Sequence, residues 1–266
     1  MVHAPTREQA ISRLSHACSH DLALIGPTSN LEFASAIINS ETFAKGETLT
    51  NFLDTRFSFS PCGIDVVNPG PYSTIQDYPA RDSVGHGVPR SGPMDNLSSR
   101  IANLLVRNLE GTELIEATLA GPKLLFTSNA VVSVCGASAP VSIDGQERPM
   151  WASLVIEAGQ TLQVGAIQDV GCHIYIAVRG GFPRVPQLLG SKSTSVDLKI
   201  GGAEGRTMRE GDFLHTESMD LDVISRETHC SLPLMMIPDM KVEEIYVMQG
   251  PHDSEDIMTV ADRNML

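Results

Sequence analysis

Basic residues are scarce in this chain: 19 Lys and Arg stand against 32 Asp and Glu, a formal net charge of −13. Nucleic acids and anionic membrane surfaces call for clustered positive charge, so neither is an expected partner. Cysteine is sparse as well. Cys18, Cys62, Cys135, Cys172 and Cys230 show no CxxC pair, and their odd count does not suggest a disulfide framework. They read as reduced thiols. His215, His229 and His252 have no histidine neighbour at ligand spacing, so no metal site is expected. No run approaches the ~18 apolar residues of a membrane span, and the N-terminus lacks the apolar stretch of a secretory signal. The expected location is cytoplasmic.

What is present suits a globular fold. The 266 residues, 42% of them hydrophobic, suggest one large domain or two modest ones. Thr6 followed by Gln9 makes a capping-box pattern, and Ala10, Ile11, Leu14, Ala17 and Cys18 share a helical face, so residues 7–20 read as an amphipathic helix. Ser29 and Glu32 repeat the pattern ahead of Leu31, Ala34, Ile37 and Ile38. Between 121 and 217 the chain turns to short β-rich runs: Leu124–Phe126, Ala130–Cys135, Val141–Ile143, Leu154–Ile156, Thr161–Val164 and His173–Val178. Asp144-Gly145, Ala158-Gly159 and Gly180-Gly181 supply turns, and the spacing suggests a barrel or sandwich. One further helix is expected from Asp95, a capping residue, with Leu97, Ile101, Leu104 and Leu105 on its buried face and Gly111 at its end.

Residues 70–95, GPYSTIQDYPARDSVGHGVPRSGPMD, hold too many Gly and Pro for a helix interior or a central strand and read as loop. Gln76, Asp77, Arg81, Asp82, His86, Ser91 and Asp95 place amide, carboxylate, guanidinium, imidazole and hydroxyl groups in that loop, a set able to bind a small polar substrate. Elsewhere, His173 sits in an alternating apolar strand and reads as a satisfied or outward histidine. Gly201-Gly202 with Gly205-Arg206 lacks the strand, glycine loop and helix order of a phosphate site and reads as a tight turn. LGSKSTS (189–195) lacks the Gly-Lys-Ser/Thr order of a Walker sequence and reads as a loop offering hydroxyls to a pocket.

Several blocks carry a family likeness in order along the chain. They are GPYSTIQD (70–77), GVPRSGPMD (87–95), SSRIANLLVRNLEGTELIEATLAGPKLLF (98–126), YIAVRGGF (175–182), VPQLLGSKSTS (185–195) and GGAEGRTMREGD (201–212). Together they resemble the carboxyltransferase domain of urea carboxylase and urea amidolyase, the allophanate hydrolase subunit 2 family, which also has a 5-oxoprolinase subunit among its relatives. The first 55 residues resemble the C-terminal end of a biotin carboxylase. The organisation this implies is a biotin carboxylase remnant at 1–55, a linker at 56–63 and a carboxyltransferase domain at 64–266, cut short at its C-terminal side. The implied fold is mainly β with α: a cyclophilin-like β-barrel lobe plus a small helical N-terminal segment.

The resemblance also implies a reaction. Carboxybiotin on a separate biotinyl carrier domain gives its carboxyl group to urea, or a related small amide, and allophanate forms; the partner carboxyltransferase half completes the site. A urea nitrogen is a very weak acid, so orientation and stabilisation of developing charge matter more than one side-chain base. Asp77, Arg81 and His86 take the catalytic roles: Asp77 with Gln76 accepts urea N–H groups, Arg81 faces carboxyl oxygens, and His86 shuttles a proton. Ser91, Met94, Asp95, Ser191, Ser193 and Arg206 join Gln76 as substrate-binding residues. The loop departs from the family pattern at Ala80, Asp82, Ser83 and Arg90. ATP and Mg²⁺ belong to a biotin carboxylase body that these residues do not contain, and Lys192, Lys199 and Lys241 lie outside any Met-Lys-Met biotinylation sequence. The fragment alone is expected to be inactive. Two other readings stand beside this one: an enzyme component like the 5-oxoprolinase subunit, and a non-catalytic module that antagonises a kinase inhibitor.

Overall fold

The computed structural model describes residues 2–22, 30–59, 61–82, 85, 87–217, 219 and 230–241, with 244, 246, 248, 250, 257, 259–263 and 265 beyond them. Helix α1 (Arg7–His16) starts where the capping pattern places it, Thr6 Oγ1 accepting from Gln9 N at 3.3 Å. Its expected last turn is a π-helical one, Ala17–Asp21. Helix α2 (Leu31–Ile38) follows an Asn30 cap that makes no side-chain bond, and Ser29 lies outside the described residues. Helices α3 (Glu41–Lys45) and α4 (Phe52–Thr55) complete the segment. Helices α1, α2 and α3 pack on one another. Phe33 meets Phe57 and Phe59 edge-on at 5.6 and 5.3 Å between ring centroids, and Phe52 joins through Phe57.

The rest is two antiparallel sheets. One has the order β11-β1-β4-β9-β6-β7, built from Phe213–His215, Gly63–Asn68, Lys123–Phe126, Thr161–Val164, Val141–Ile143 and Gln146–Arg148. The other has the order β2-β3-β10-β5-β8, from Tyr72–Gln76, Leu114–Thr118, His173–Val178, Ala130–Gly136 and Ser153–Ile156. Asp144 and Gly145, at φ of 49° and 79°, turn β6 into β7, the left-handed pair that a two-residue hairpin needs. All six β-rich runs expected between 121 and 217 are strands, and the fold is mainly β with few helices.

Strand β5 is buried along its whole length because both its faces are covered. Ala130, Val132 and Val134 enter the core with Ile64, Phe126, Ile174 and Ile176, while Val131 and Cys135 face a second cluster with Ala102, Leu105, Val106 and Ala177. That second cluster contains helix α5 (Asn96–Leu105), capped as expected by Asp95, whose Oδ1 accepts from Leu97 N and Ser98 N at 3.0 Å each. Burial pushes the Cys135 thiol pKa upward, which makes it inert packing.

Two expectations need correction. Helix α5 buries Ser98, Ser99, Ala102, Asn103 and Leu105, whereas Leu97 and Leu104 are 53% and 56% exposed. Small residues let the helix backbone approach the sheet closely enough for Ser133 Oγ to donate to Ala102 O at 2.6 Å, so that of the expected apolar face Leu105 and, in part, Ile101 are packed while Leu97 and Leu104 lie outside. The helix also ends before Gly111, at Val106, with Arg107 at a φ of 60°. Second, Tyr72–Gln76 is strand β2, paired with β3 from Tyr72↔Thr118 to Gln76↔Leu114. The breakers of 70–95 flank this β-branched run rather than interrupt it.

Both outer strands of the second sheet are covered by later chain. Thr194 N donates to Ile75 O at 2.8 Å and Met208 N to Ser73 O at 2.9 Å, closing the β2 edge. At β8, Ser153 N donates to Cys230 O at 2.8 Å, beside a bridge between Ala152 and Ser231. No helix among the described residues is long and apolar enough to cross a membrane.

Candidate functional site

Strand β2 delivers Gln76 and Asp77 to the point where the 189–205 segment crosses its edge. Asp77 Oδ1 accepts from Ser191 Oγ, from Ser193 Oγ at 2.5 Å and from Ser193 N at 3.2 Å, and Oδ2 accepts from Lys192 N at 2.7 Å. One carboxylate offers about four acceptor positions, so Asp77 is satisfied inside this network. Gln76 is satisfied too: its Nε2 donates to Thr74 Oγ1 at 3.0 Å and Thr194 O at 3.3 Å, and its Oε1 accepts from Gly92 N at 3.0 Å.

Arg81 is completely buried, at 0% exposure. Its Nη1 donates to Ser91 Oγ at 3.3 Å and its Nη2 to Ser193 O, while Nε has no hydrogen-bond partner among the described residues. Burial pushes its pKa down and the charge of Asp77 opposes the shift. A guanidinium this deep is held in place only by good compensating geometry.

Glycine explains how the next loop closes on this cluster. A Cβ at Gly201, at a φ of +70°, would lie 2.0 Å from Ser193 O and 2.4 Å from Arg81 Nη2. Gly202 N donates to Lys192 O at 2.8 Å. The Gly201–Gly205 turn therefore rests on the Asp77, Arg81 and Ser193 cluster. Its other side walls a cleft of about 850 Å³ that includes Arg184, Lys199, Arg206, Asp212 and His215. Arg206 grips Asp212 with two bonds, at 2.7 and 2.8 Å, and reaches Glu204 at 3.0 Å. The Asp212 bond raises the Arg206 pKa. Burial pushes Asp212 up, but bonds from Arg206 and Arg209 N outweigh it and hold its carboxyl below the usual aspartate value.

The structure thus brings Gln76, Asp77, Arg81, Ser91, Ser191 and Ser193 together, with Arg206 across the glycine turn. Met94 and Asp95 stand apart. The Met94 side chain is exposed, and Met94 N donates to Glu116 Oε2 at 2.7 Å. Asp95 caps α5, and Asp95 N donates to Tyr175 OH at 2.7 Å. His86 lies outside the described residues. His173 is satisfied by Thr118 Oγ1 at 3.2 Å. Among the described residues no group of His, Cys, Asp and Glu has a metal-holding arrangement.

Sequence reasoning missed three participants. Lys192 Nζ pairs with Glu113 Oε1 at 2.7 Å, and Phe182 N donates to the same oxygen at 2.6 Å, which ties the Gly180–Gly181 turn to the 189–195 segment. Glu116, buried in β3, accepts from Tyr175 OH at 2.9 Å. A carboxylate inside the apolar run LIEAT was the available signal. A second cleft, of about 590 Å³ and lined by Trp151 and Ile237–Lys241 among others, contains none of the candidate catalytic or substrate-binding residues.

With this geometry in view, comparison with known proteins is informative. The family model for the carboxyltransferase domain, subdomains A and B, matches residues 86–266. Urea amidolyase of Saccharomyces cerevisiae is 37% identical over 262 residues, covering 96% of this chain and 14% of that protein. A 5-oxoprolinase subunit of Haemophilus influenzae is 36% identical over 155 residues, covering 58% of this chain and 49% of that protein. The crystal structure of Kluyveromyces lactis urea carboxylase superposes with a TM-score of 0.86 at 31% identity, over 99% of this chain and 24% of that one. The chain spans a minor part of the urea-named relatives.

Proposed function

The chain belongs to the carboxyltransferase domain family, subdomains A and B, and from that membership we propose that it is part of a biotin-dependent urea carboxylase. In this reading it helps move a carboxyl group from carboxybiotin to urea, with allophanate as product. The observation that carries the reading is the extent of the likeness. The yeast urea amidolyase aligns over 96% of the chain and so takes in most of the N-terminal helices, whereas the 5-oxoprolinase subunit aligns over 58%. We read residues 1–55 as the end of a biotin carboxylase, 56–63 as linker and 64–266 as carboxyltransferase. The helices ending at Thr55 and the first strand beginning at Gly63 support that division.

Biotin, carried on a separate domain, supplies the activated carboxyl group. Arg81, completely buried beneath the Gly201 turn, acts in this reading as a fixed cation behind the site rather than as a group that touches the carboxyl oxygens, and its Nε donor is unmatched among the described residues. Asp77 and Gln76 act in this reading as positioning residues, holding the 191–205 segment in the shape that receives substrate. Ser91, Ser191 and Ser193 complete that support.

The test is Asp77→Ala in the whole multidomain protein, with the two half-reactions measured apart. Allophanate formation should fall by more than about 100-fold, the scale at which misplacing a reacting group acts, while biotin-dependent ATP cleavage persists. Equal loss of both half-reactions, or normal allophanate production, would overturn the role given to this cluster.

A further inference from the structure

We propose that Glu116, with Tyr175, is a positioning residue of the carboxyl-transfer site, holding by its backbone the loop that supports Gln76 and Arg81; the inference rests on the urea carboxylase reading. Residues 92–95 carry three backbone N–H groups, since Pro93 has none. Each is taken by a side chain from a different one of three neighbouring strands of the second sheet. Gly92 N donates to Gln76 Oε1 of β2 at 3.0 Å, Met94 N to Glu116 Oε2 of β3 at 2.7 Å, and Asp95 N to Tyr175 OH of β10 at 2.7 Å. Tyr175 OH in turn donates to Glu116 Oε2 at 2.9 Å. Strand register makes this possible. Glu116 lies opposite Thr74 on one side and Tyr175 on the other, so these side chains share one face of the sheet. Gln76 Nε2 joins the row through Thr74 Oγ1 at 3.0 Å.

Starting helix α5 does not require this arrangement. The Asp95 carboxylate already accepts from Leu97 N and Ser98 N, so Glu116 and Tyr175 act on residues ahead of the helix. The near end of the loop is tied to the site: Arg81 N donates to Arg90 O at 3.1 Å, and Arg81 Nη1 to Ser91 Oγ at 3.3 Å. Ser91 and Gly92 have left-handed backbones, at φ of 57° and 93°. A residue other than glycine keeps that shape only where its surroundings enforce it, and Glu116 and Tyr175 supply the enforcement at the far end. A buried carboxylate is costly unless its oxygens are bonded, and a charged acceptor makes the stronger bond. Glu116 Oε2, with two donors, is therefore the strongest of the three holds. Burial, and then the charge of Glu116, push the Tyr175 pKa upward, so the phenol keeps the proton it donates.

The test uses the whole multidomain protein and three variants: Glu116→Ala, Glu116→Gln and Tyr175→Phe. Peptide-resolved hydrogen exchange should show residues 92–95 exchanging at least about tenfold faster in Glu116→Ala, with β5 unchanged. In the same variant kcat for allophanate formation should fall at least about tenfold and KM for urea change less than about threefold, while biotin-dependent ATP cleavage persists. Glu116→Gln keeps an oxygen for Met94 N and Tyr175 OH, and its NH2 group falls where Oε1 accepts from none of the described residues. That variant should retain kcat within about threefold. Tyr175→Phe, which loses the acceptor of Asp95 N, should fall between the two. Normal kcat in Glu116→Ala well below its melting temperature, or equal loss of both half-reactions, would give Glu116 a purely structural role and overturn the proposal. So would Glu116→Gln as impaired as Glu116→Ala, which would put the effect on charge, or unchanged exchange at 92–95. If the unaltered protein forms no allophanate, the urea carboxylase reading fails, and the exchange measurement still decides whether Glu116 holds the loop.

Discussion

Asp77 and Ser193, 116 residues apart in sequence, are joined through backbone and side chain alike: Ser193 Oγ donates to Asp77 Oδ1 at 2.5 Å with Asp77 O at 3.3 Å, Ser193 N donates to Oδ1 at 3.2 Å, and Asp77 N donates to Ser193 Oγ at 2.9 Å. The end of β2 and the 189–205 segment are thereby one mechanical unit. Asp77→Ala leaves Lys192 N without its acceptor and strips the shared acceptor from the Ser191 and Ser193 hydroxyls, Ser193 N keeping only Ser191 Oγ at 3.0 Å, which should cost more than about 2 kcal/mol. Denaturant unfolding measures the loss. Hydrogen exchange should show the 191–195 amides opening well before the β5 and β10 amides; uniform exchange would mean the two segments are not coupled this way.

The exposed and buried leucines at the end of α5 separate by experiment. Leu105, 8% exposed within the second cluster, should cost about 2–5 kcal/mol on change to Ala. Its neighbour Leu104, 56% exposed, should change stability by less than about 0.5 kcal/mol. Thermal or denaturant melts of the two variants, measured side by side, give the contrast directly, and a reversed order would refute the helix orientation.

Gly201 and Gly190 both have left-handed backbones, at φ of +70° and +79°, but only Gly201 is packed from the side where a Cβ would go. Gly190→Ala should cost about 1–2 kcal/mol, the conformational penalty alone. Gly201→Ala adds a collision with Ser193 O and Arg81 and should cost at least about 1 kcal/mol more. Equal melting temperatures would show that the glycine turn is not seated on Arg81.

The Arg206 and Asp212 pair predicts an acid-sensitive term. The Asp212 pKa is held below its ordinary value in the folded chain. A group of that kind adds stability above its unfolded pKa, about 3.9, and loses it as pH falls through the folded value. Asp212→Asn should therefore be less stable than the unaltered chain at pH 7, with the gap narrowing below about pH 4. Melting temperature against pH tests this; a constant gap down to about pH 2 would mean that Asp212 titrates normally.

Much of this architecture was legible from residue order, and the exceptions have physical causes. β-branched and apolar runs marked β5, β6, β9 and β10, because a two-sided sheet demands them. Asp95 announced its helix through capping chemistry that is local to four residues. The face of α5 was not legible, since its contact surface is chosen for close approach and so carries Ser, Ala and Asn where leucines were expected. Strand β2 was hidden among breakers that belong to its flanks. Within 70–95, Gln76, Asp77, Arg81 and Ser91 meet while Asp95 caps a helix elsewhere, and nothing local shows that Asp77 meets Ser191 and Ser193 more than 110 residues later. Pairings at that separation are set by topology.

The two covered edges of the second sheet bear on how the chain acquires its shape. Strand β2 is closed by residues 194 and 208, and β8 by residues 230–231. A nascent polypeptide that has emerged as far as β10 has all five strands of this sheet but neither of its borders, and exposes two unpaired rows of amides and carbonyls. Such rows recruit other chains, and contacts of long sequence separation form slowly. The interval between synthesis of Val178 and arrival of Ser231 is then the period in which this protein most needs a chaperone, and slowing translation across it should raise the insoluble fraction more than slowing translation anywhere upstream.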